Sequence, residues 1–265
     1  MDLGKFETAL PTKDIETTLA FYEGLGFERV DGQVETGTFT LLRGDCRLGL
    51  YQGHLKPDQL QLIFWQGDVE AIAAHLAANN TPFETELKKA EDGGASFMIK
   101  DPDGHPLFFI YMPVDFPHLP EYARPMPPRE PTRPLTPDMT IGWFELSLDV
   151  KDIKRSAAFY KMLGFEEVGG EIEDRHVALQ NRDCRICLYQ GYLDPAEPQL
   201  IFWQGDVRST AQGLMDQGAA FEPRFKDGAL TNDQGHVAAM LRDPDGVPIY
   251  LVNIPGVTRK QPIWA

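Results

Sequence analysis

Cysteine is scarce in this chain, and the few cysteines present do not form a recognisable site. There are three among 265 residues, too few for a disulfide framework. Cys46 and Cys184 fall in the middle of predicted strands, which indicates core packing. Cys184 and Cys187 have zinc-knuckle spacing, but residues i and i+3 of a strand face opposite sides of a sheet. These two therefore cannot chelate one metal ion.

Long apolar runs and positive charge are also lacking. No apolar run approaches the roughly 18 residues of a membrane span, and residues 1–5 lack the basic and then apolar character of a signal peptide. We therefore expect a cytoplasmic protein with no membrane partner. Lys and Arg number 25 against 40 Asp and Glu, a net charge of −15. Because phosphate binding needs a basic surface, a nucleic-acid partner is excluded.

What the chain does contain is an internal repeat. Seven short motifs of the first half return in the same order at an offset of 138 residues, from Phe6-Glu7 (Phe144-Glu145) to the eight residues that begin at Leu62 and Leu200. Asp101-Pro102-Asp103-Gly104 returns as Asp243-Pro244-Asp245-Gly246 at an offset of 142. A solenoid repeat spans only roughly 20–50 residues. The repeat therefore predicts two copies of a complete domain, with a counterpart in the second for each site in the first.

Proline marks the boundary between the copies. Nine of the 21 prolines lie in residues 113–137, and such a stretch favours extended polyproline II over helix or sheet. We predict a first domain over residues 1–113, a linker over 114–138, a second domain over 139–258 and a C-terminal tail over 259–265.

Within each copy the pattern predicts two modules in succession, each a strand followed by a helix and three strands. In the first copy Asp14 is a helix N-cap, and Asp101-Pro102-Asp103-Gly104 is a hairpin turn whose aspartates have no predicted function. The predicted strands are 6–11, 28–34, 38–43, 46–52, 61–66, 83–87, 96–100 and 107–111, and the predicted helices end near residues 25 and 80.

Five motifs occur in the same order in both copies: Asp14-Ile15, Phe21-Tyr22, Leu25-Gly26-Phe27, the restart at Gln61 and the final Asp-Pro-Asp-Gly turn. This ordered set resembles the vicinal oxygen chelate superfamily, which includes glyoxalase I, bleomycin- and fosfomycin-resistance proteins and extradiol dioxygenases. The resemblance covers about residues 4–113 and 142–256. It implies an α+β fold of two tandem glyoxalase-like domains, each made of paired βαβββ modules whose sheets wrap a cleft.

The resemblance also implies ligand positions for a metal ion on the first, fourth, fifth and eighth strands. The fourth-strand position lies near Gly49 and Cys187, and no histidine has a histidine counterpart. The other three positions fall on Glu7, Gln61 and Phe108 in the first copy, and on Glu145, Gln199 and Tyr250 in the second. Two oxygen ligands and an apolar residue fall short of the three protein ligands that a catalytic divalent site generally needs. We therefore predict no metal and no other cofactor, and a weak site completed by waters or substrate stays open as the alternative.

Tryptophan is predicted to share the cleft with these residues. Strand alternation puts Trp65 on the face of Gln61, with Trp203 as its counterpart. A Trp there suits an aromatic or planar ligand, or it simply fills the barrel. Burial would raise the pKa of Glu7 and make it a general base or an anchor, unless an Arg or a backbone donor pairs with it. The predicted ligand-binding set is Glu7, Gln61, Trp65, Phe108, Glu145, Gln199, Trp203 and Tyr250.

Two functions follow from this set. The first is a metal-independent protein that binds a small, partly aromatic or planar molecule in one or both clefts. The alternative is a lyase, isomerase or epimerase in which Glu7 and Glu145 are catalytic proton-transfer groups. In a third possibility one copy is inert and buttresses the other. We expect a small-molecule partner only and an intrachain pseudo-dimer, compatible with a monomer, whose interface contains Gln52, Gly53, Gln66 and Gly67.

Overall fold

A computed structural model describes residues 1–57, 59–113, 138 and 140–258. These residues form two eight-stranded sheets, one in each half of the chain. We call residues 4–111 domain 1 and residues 142–253 domain 2. Apart from Asp138, the predicted linker lies outside the described residues, and so does the predicted tail. The predicted domain boundaries therefore stay predictions.

Domain 1 consists of two successive modules, each a strand followed by a helix and three strands. Its sheet order is β2-β3-β4-β1-β5-β8-β7-β6, so the first strands of the two modules, β1 and β5, are antiparallel neighbours at the centre. The α+β fold of paired βαβββ modules is confirmed. The elements are β1 (Gly4–Thr12), α1 (Ile15–Gly24), β2 (Glu28–Gln33), β3 (Thr38–Arg43), β4 (Cys46–Gln52), β5 (Gln61–Gln66), α2 (Val69–Ala78), β6 (Phe83–Lys89), β7 (Ala95–Lys100) and β8 (Pro106–Tyr111).

Domain 2 repeats this arrangement with one local change. Its sheet order is β10-β11-β12-β9-β13-β16-β15-β14. The strand β14 has two residues where β6 has seven, and a 3-10 turn at Pro223–Phe225 precedes it. The elements are β9 (Gly142–Asp149), α3 (Ile153–Met162), β10 (Glu166–Glu171), β11 (His176–Asn181), β12 (Cys184–Tyr189), β13 (Gln199–Gln204), α4 (Val207–Asp216), β14 (Leu230–Thr231), β15 (Val237–Arg242) and β16 (Pro248–Asn253).

Each of the four helices begins after an aspartate that caps it. The carboxylates of Asp14, Asp68, Asp152 and Asp206 accept hydrogen bonds from backbone N–H groups of the first turn. Those N–H groups have no partner inside a helix, so the caps set the helix starts. None of the described helices is long and apolar enough to cross a membrane.

The two faces of each sheet have different roles. On β1, Phe6 packs into the core against Phe64 with ring centroids 5.5 Å apart, whereas Glu7 lies on the opposite, concave face. The three cysteines are buried and free. Cys184 belongs to the main core and Cys187 to a small separate cluster, in agreement with their predicted placement on opposite faces.

The domains contact each other through reciprocal carboxylates. Asp45 Oδ1 accepts a hydrogen bond from the Phe144 backbone N–H at 2.9 Å, and Asp183 accepts one from the Phe6 N–H at 3.3 Å. Each aspartate therefore accepts a hydrogen bond from a backbone N–H in the first strand of the other domain. Because these are the same two positions in the repeat, the contact has pseudo-twofold symmetry.

The Asp-Pro-Asp-Gly turns also join the domains. Tyr22 Oη donates to Asp243 Oδ2, and Tyr160 Oη donates to Asp101 Oδ2, both at 2.9 Å. Of the residues predicted at the interface, Gln52 and Gln66 form hydrogen bonds within the first half of the chain, and Gly53 lines a cavity between the domains. Gln52 accepts from the Ile15 N–H at 2.9 Å, and Gln66 donates to the Met112 carbonyl at 2.8 Å.

Candidate functional site

Glu7 lies at the bottom of the concave face of domain 1 and is fully buried. Its Oε1 accepts hydrogen bonds from Tyr51 Oη at 2.7 Å and from Trp65 Nε1 at 3.3 Å. Its Oε2 accepts from Thr40 Oγ1 at 3.3 Å. Three different strands (β4, β5 and β3) supply these neutral donors, so the tertiary fold alone assembles the group.

The environment of Glu7 favours its protonated form. Desolvation by burial raises the pKa of Glu7, while the hydrogen bond from Tyr51, the charge of Arg47 and the hydrogen bonds from Trp65 and Thr40 partly oppose the rise. The desolvation effect is the largest, and the net pKa is above the ordinary glutamate value. A raised pKa makes this carboxyl group a stronger proton acceptor than an ordinary glutamate.

A cleft of about 550 Å³ opens above this group. Its size is within the range of small-molecule sites. Ile63 pairs with Glu7 on one side and with Phe108 on the other, so the floor follows one row across β1, β5 and β8. The lining residues are apolar on the floor and polar or charged at the rim: Tyr51, His54, Leu55, Lys56, Gln59, Gln61, Ile63, Trp65, Glu84, Thr85, Met98, Lys100, Pro106 and Phe108.

Gln61 also lines this cleft, but its side-chain amide bonds the sulfur atom of Met98. It lies opposite Ala9 in the β1–β5 pairing, two residues along from Glu7. Its Nε2 donates to Met98 Sδ at 3.6 Å. The structure thus brings Gln61, Trp65 and Phe108 to one cavity, with Glu7 behind them.

These residues do not fit the divalent metal site that the resemblance implies. The Glu7 carboxylate is surrounded by the donor hydrogens of Tyr51, Trp65 and Thr40, and Phe108 contributes a hydrocarbon ring. A hard cation requires oxygen or nitrogen lone pairs in that place. Within the described ranges there is no group of three or more His, Cys, Asp or Glu side chains suited to a metal ion. We derive no chemical step through a metal, and its absence stays a prediction.

The counterpart carboxylate in domain 2 has another partner. Glu145 Oε2 accepts from Arg185 Nε at 3.0 Å, and its Oε1 accepts from Trp203 Nε1 at 3.0 Å. Both members of the ion pair are buried. In domain 1 the equivalent Arg47 instead donates to the Phe6 carbonyl at 3.2 Å and pairs with Asp183 of domain 2 at 3.4 Å. Glu7 and Glu145 are therefore not equivalent groups.

Two substitutions between the copies lie beside these carboxylates. Thr40, a donor to Glu7, is replaced by Ala178 in domain 2. Gly49, beside the Glu7 carboxylate, is replaced by the buried Cys187. The prediction treated the two glutamates alike because it considered Gly49 and Cys187 only as a ligand position and did not include Thr40 and Ala178.

Aromatic packing covers the domain 2 carboxylate further. Trp143 stacks on Trp203 with ring centroids 6.5 Å apart and planes 18° from parallel. Domain 1 has Lys5 at the position of Trp143. Tyr250, the counterpart of Phe108, packs against Phe225 with centroids 6.5 Å apart, and Gln199 is half-buried on β13.

An arginine clamp forms at the domain 2 positions that correspond to the rim of the open cleft. Arg242 Nε pairs with Glu222 Oε1 at 2.6 Å, and its Nη1 and Nη2 bond both oxygens of Glu197 at 3.1 and 2.9 Å. The domain 1 counterparts are Lys100, Glu84 and Gln59. Lys100 pairs with Glu84 at 3.0 Å, but the neutral amide of Gln59 cannot complete such a clamp.

Tyr51 was missed by sequence reasoning. It lies two residues beyond Gly49 on β4, and strand alternation from that position places it on the cleft face. The Leu-Tyr-Gln-Gly motif that contains Tyr51 occurs in both copies. It was interpreted as part of an interface because its Gln and Gly lie at the end of a strand.

Comparison with known families assigns the fold. Residues 6–109 match the sequence profile of the Glyoxalase/Bleomycin resistance protein/Dioxygenase superfamily. Domain 1 belongs to this superfamily. Domain 2 repeats the motifs and the strand order of domain 1.

Solved structures agree with the whole two-domain arrangement. The Mn(II)-bound glyoxalase from Novosphingobium aromaticivorans is 18% identical, with a TM-score of 0.58 over 93% of this chain and 80% of that one. A catechol 2,3-dioxygenase is 15% identical, with a TM-score of 0.58 over 98% and 89% of the two chains. The 2,2',3-trihydroxybiphenyl 1,2-dioxygenase from Sphingomonas wittichii is 14% identical, with a TM-score of 0.58 over 95% and 90%. These identities show a shared fold and nothing further. No curated protein matches the sequence.

Proposed function

We propose that the chain binds a small, partly aromatic or planar molecule in the domain 1 cleft without a metal ion. The observation that carries this proposal is the cleft of about 550 Å³, which Tyr51 and Trp65 line while both donate hydrogen bonds to the buried Glu7 behind them. Largely apolar clefts with a few converging polar groups are typical of small-molecule sites.

The hydrogen-bond directions indicate which ligand fits. Tyr51 Oη donates its single proton to Glu7, so toward the cleft it presents an acceptor. Trp65 offers a flat apolar face, since its N–H is directed at Glu7. A planar molecule with a hydroxyl or N–H donor matches both features.

Domain 1 is the proposed site, and we expect one ligand per chain. In domain 2 the carboxylate forms an ion pair with Arg185, Trp143 covers Trp203, and Arg242 joins two glutamates at the rim. Opening such a cleft would expose a buried ion pair and leave its partners unsatisfied. This supports the possibility that the second copy does not use its own cleft.

A matched pair of tryptophan variants tests the proposal. Aromatic hydroxy compounds would be screened by thermal shift, and hits measured by titration calorimetry on protein treated with a chelator. We expect one site per chain, an affinity reduced about tenfold or more in Trp65→Ala, and an unchanged affinity in Trp203→Ala. Two sites per chain, or binding that requires added Mn²⁺, Ni²⁺ or Zn²⁺, would overturn it.

A second candidate function is a lyase, isomerase or epimerase that moves a proton. The raised pKa of Glu7 favours it. Because Glu7 is fully buried, Tyr51 would touch the substrate, and Glu7 would accept the Tyr51 proton from behind. Glu145, held by Arg185, has no part in this version. Exchange of a substrate C–H for deuterium in D₂O, lost in Tyr51→Phe while binding persists, would distinguish the enzyme from the binding protein.

A further inference from the structure

A second cavity of about 460 Å³ lies between the two domains. It exists only because both domains are present, since each supplies one side of it. Domain 1 contributes Pro11, Thr12, Lys13, Tyr51, Gly53, Leu55, Pro57 and Leu60, and domain 2 contributes Ala196, Glu197, Pro198, Arg242, Asp245, Gly246, Val247 and Pro248. We call this cavity the interdomain groove.

The groove adjoins the domain 1 cleft. Tyr51 and Leu55 line both cavities, so the two cavities are neighbours at these two side chains. Tyr51 is also the residue that bonds Glu7. The residue that bonds Glu7 therefore also lies at the boundary between the cleft and the groove.

A difference between the copies explains why a groove occurs on this side. Asp149, at the end of β9, accepts hydrogen bonds from the N–H groups of Gly191, Tyr192 and Leu193 at 3.1, 2.9 and 2.9 Å and so binds the following loop to the strand. Its counterpart in domain 1 is Pro11, which has no carboxylate. The loop that contains Gly53 and Leu55 lacks this anchor, and the space beside Pro11 stays open.

The domain 2 wall of the groove is held in place by the domain interface. Asp245 Oδ1 accepts from the Lys13 N–H at 2.9 Å, and its Oδ2 accepts from Thr18 Oγ1 at 2.6 Å. These bonds fix the turn that leads directly into Val247 and Pro248. A wall that is already ordered costs little entropy on binding.

Two charged side chains of the groove, Arg242 and Asp245, already have partners in the protein. Arg242 is bonded to Glu197 and Glu222, and Asp245 accepts from the Lys13 backbone N–H and from Thr18. The surface left for a ligand is mainly aliphatic, from the prolines together with leucine, valine and alanine. Such a surface favours a hydrocarbon chain over a charged group.

We propose that the ligand of the domain 1 cleft is elongated, with a planar head on Trp65 and an aliphatic arm that passes Tyr51 and Leu55 into the interdomain groove. This inference rests on the proposed function of the cleft. It gives domain 2 a direct role in binding, as the wall against which the arm packs, although the carboxylate of domain 2 is closed off.

The test uses the alkyl 4-hydroxybenzoates from methyl to octyl as probes, titrated by calorimetry into the full chain. The planar head tests the cleft, and the alkyl arm tests the groove. Ala196 is exposed on the domain 2 wall, so Ala196→Trp fills the groove without disturbing the core, and Ala196→Ser is the matched control. Val247→Phe blocks the same wall at another position.

In the unsubstituted protein and in Ala196→Ser, we expect affinity to rise about fourfold for each methylene that enters the groove. In Ala196→Trp and Val247→Phe this gain should stop, while the methyl ester binds as before. If the methyl ester binds but the gain with length is absent, or persists in both blocked variants, the arm does not use the groove and the inference fails. If no ester binds, and no other planar aromatic hydroxy compound binds in the same titration, the proposed function itself fails.

Discussion

A Cβ atom at position 49 would lie 2.5 Å from Oε1 of Glu7, so Gly49 is required for the position of this carboxylate. The same atom would lie 2.5 Å from Cε2 of Tyr51. Domain 2 has Cys187 at this position, and its glutamate pairs with an arginine instead. One missing side chain thus allows the group at the floor of the cleft to form.

We predict that Gly49→Cys separates Glu7 from Tyr51. A buried polar group that loses its partner costs about 1–3 kcal/mol, so the free energy of unfolding should fall by that amount and binding of a planar ligand should weaken. Urea denaturation and calorimetric titration measure the two effects. Cys187→Gly is the control, because it changes only domain 2. Unaltered binding in Gly49→Cys would contradict the role assigned to this glycine.

Glu7→Gln should alter the pH dependence of stability. Because the pKa of Glu7 is raised by burial, the folded chain retains a proton that the unfolded chain releases above about pH 4.5. The free energy of unfolding therefore falls as pH rises through the window between 4.5 and the raised pKa. Gln cannot ionise, so the variant should gain stability relative to the parent as pH rises through that window. Denaturation curves from about pH 4 to about pH 8 measure this, and a difference independent of pH would contradict it.

Glu145→Gln should lower the free energy of unfolding at neutral pH. It leaves the buried guanidinium of Arg185 without its charge partner, which costs about 3–5 kcal/mol. The double variant Glu145→Gln, Arg185→Met removes both charges and should recover much of the loss. Equilibrium denaturation of the three proteins provides the comparison. A single variant as stable as the parent would show that the ion pair has no structural weight.

The two interdomain tyrosines should differ in importance. Tyr22→Phe removes a donor from Asp243, and we expect a loss of about 1–3 kcal/mol. Tyr160→Phe should cost less, because His105 Nδ1 also bonds Asp101 Oδ2 at 2.9 Å, whereas the residue equivalent to His105 in domain 2 is Val247. Unfolding free energies of the two variants measure the difference. A larger loss in Tyr160→Phe would contradict this assignment.

Much of the fold could be predicted because its signals are local. The bounds of β4 and β5 agree with the predicted strands 46–52 and 61–66, since alternation of side chains and flanking turn residues lie within one stretch of sequence. Asp14 was recognised as a cap for the same reason. The Asp-Pro-Asp-Gly turns were identified correctly as turns, but Asp101 and Asp243 also bond tyrosines more than fifty residues away along the chain.

The site could be predicted only in part, because side-chain partners depend on packing. Strand alternation placed Trp65 beside Gln61, and both line the cleft. Nothing local indicated that Arg47 turns to the other domain while Arg185 bonds its own glutamate. The relevant differences, Thr40 for Ala178 and Gly49 for Cys187, are small residues whose effect is visible only when the strands are assembled.

The reciprocal bonds of Asp45 and Asp183 bear on how the two halves of the chain can differ. Each carboxylate closes a strand of the opposite half, and the same residues do so in both directions, which is the pattern of a twofold homodimer. A homodimer presents the same surface twice, whereas two halves of one polypeptide can differ. The symmetric contact can therefore hold a half with an open cleft against a half whose carboxylate is bound to Arg185.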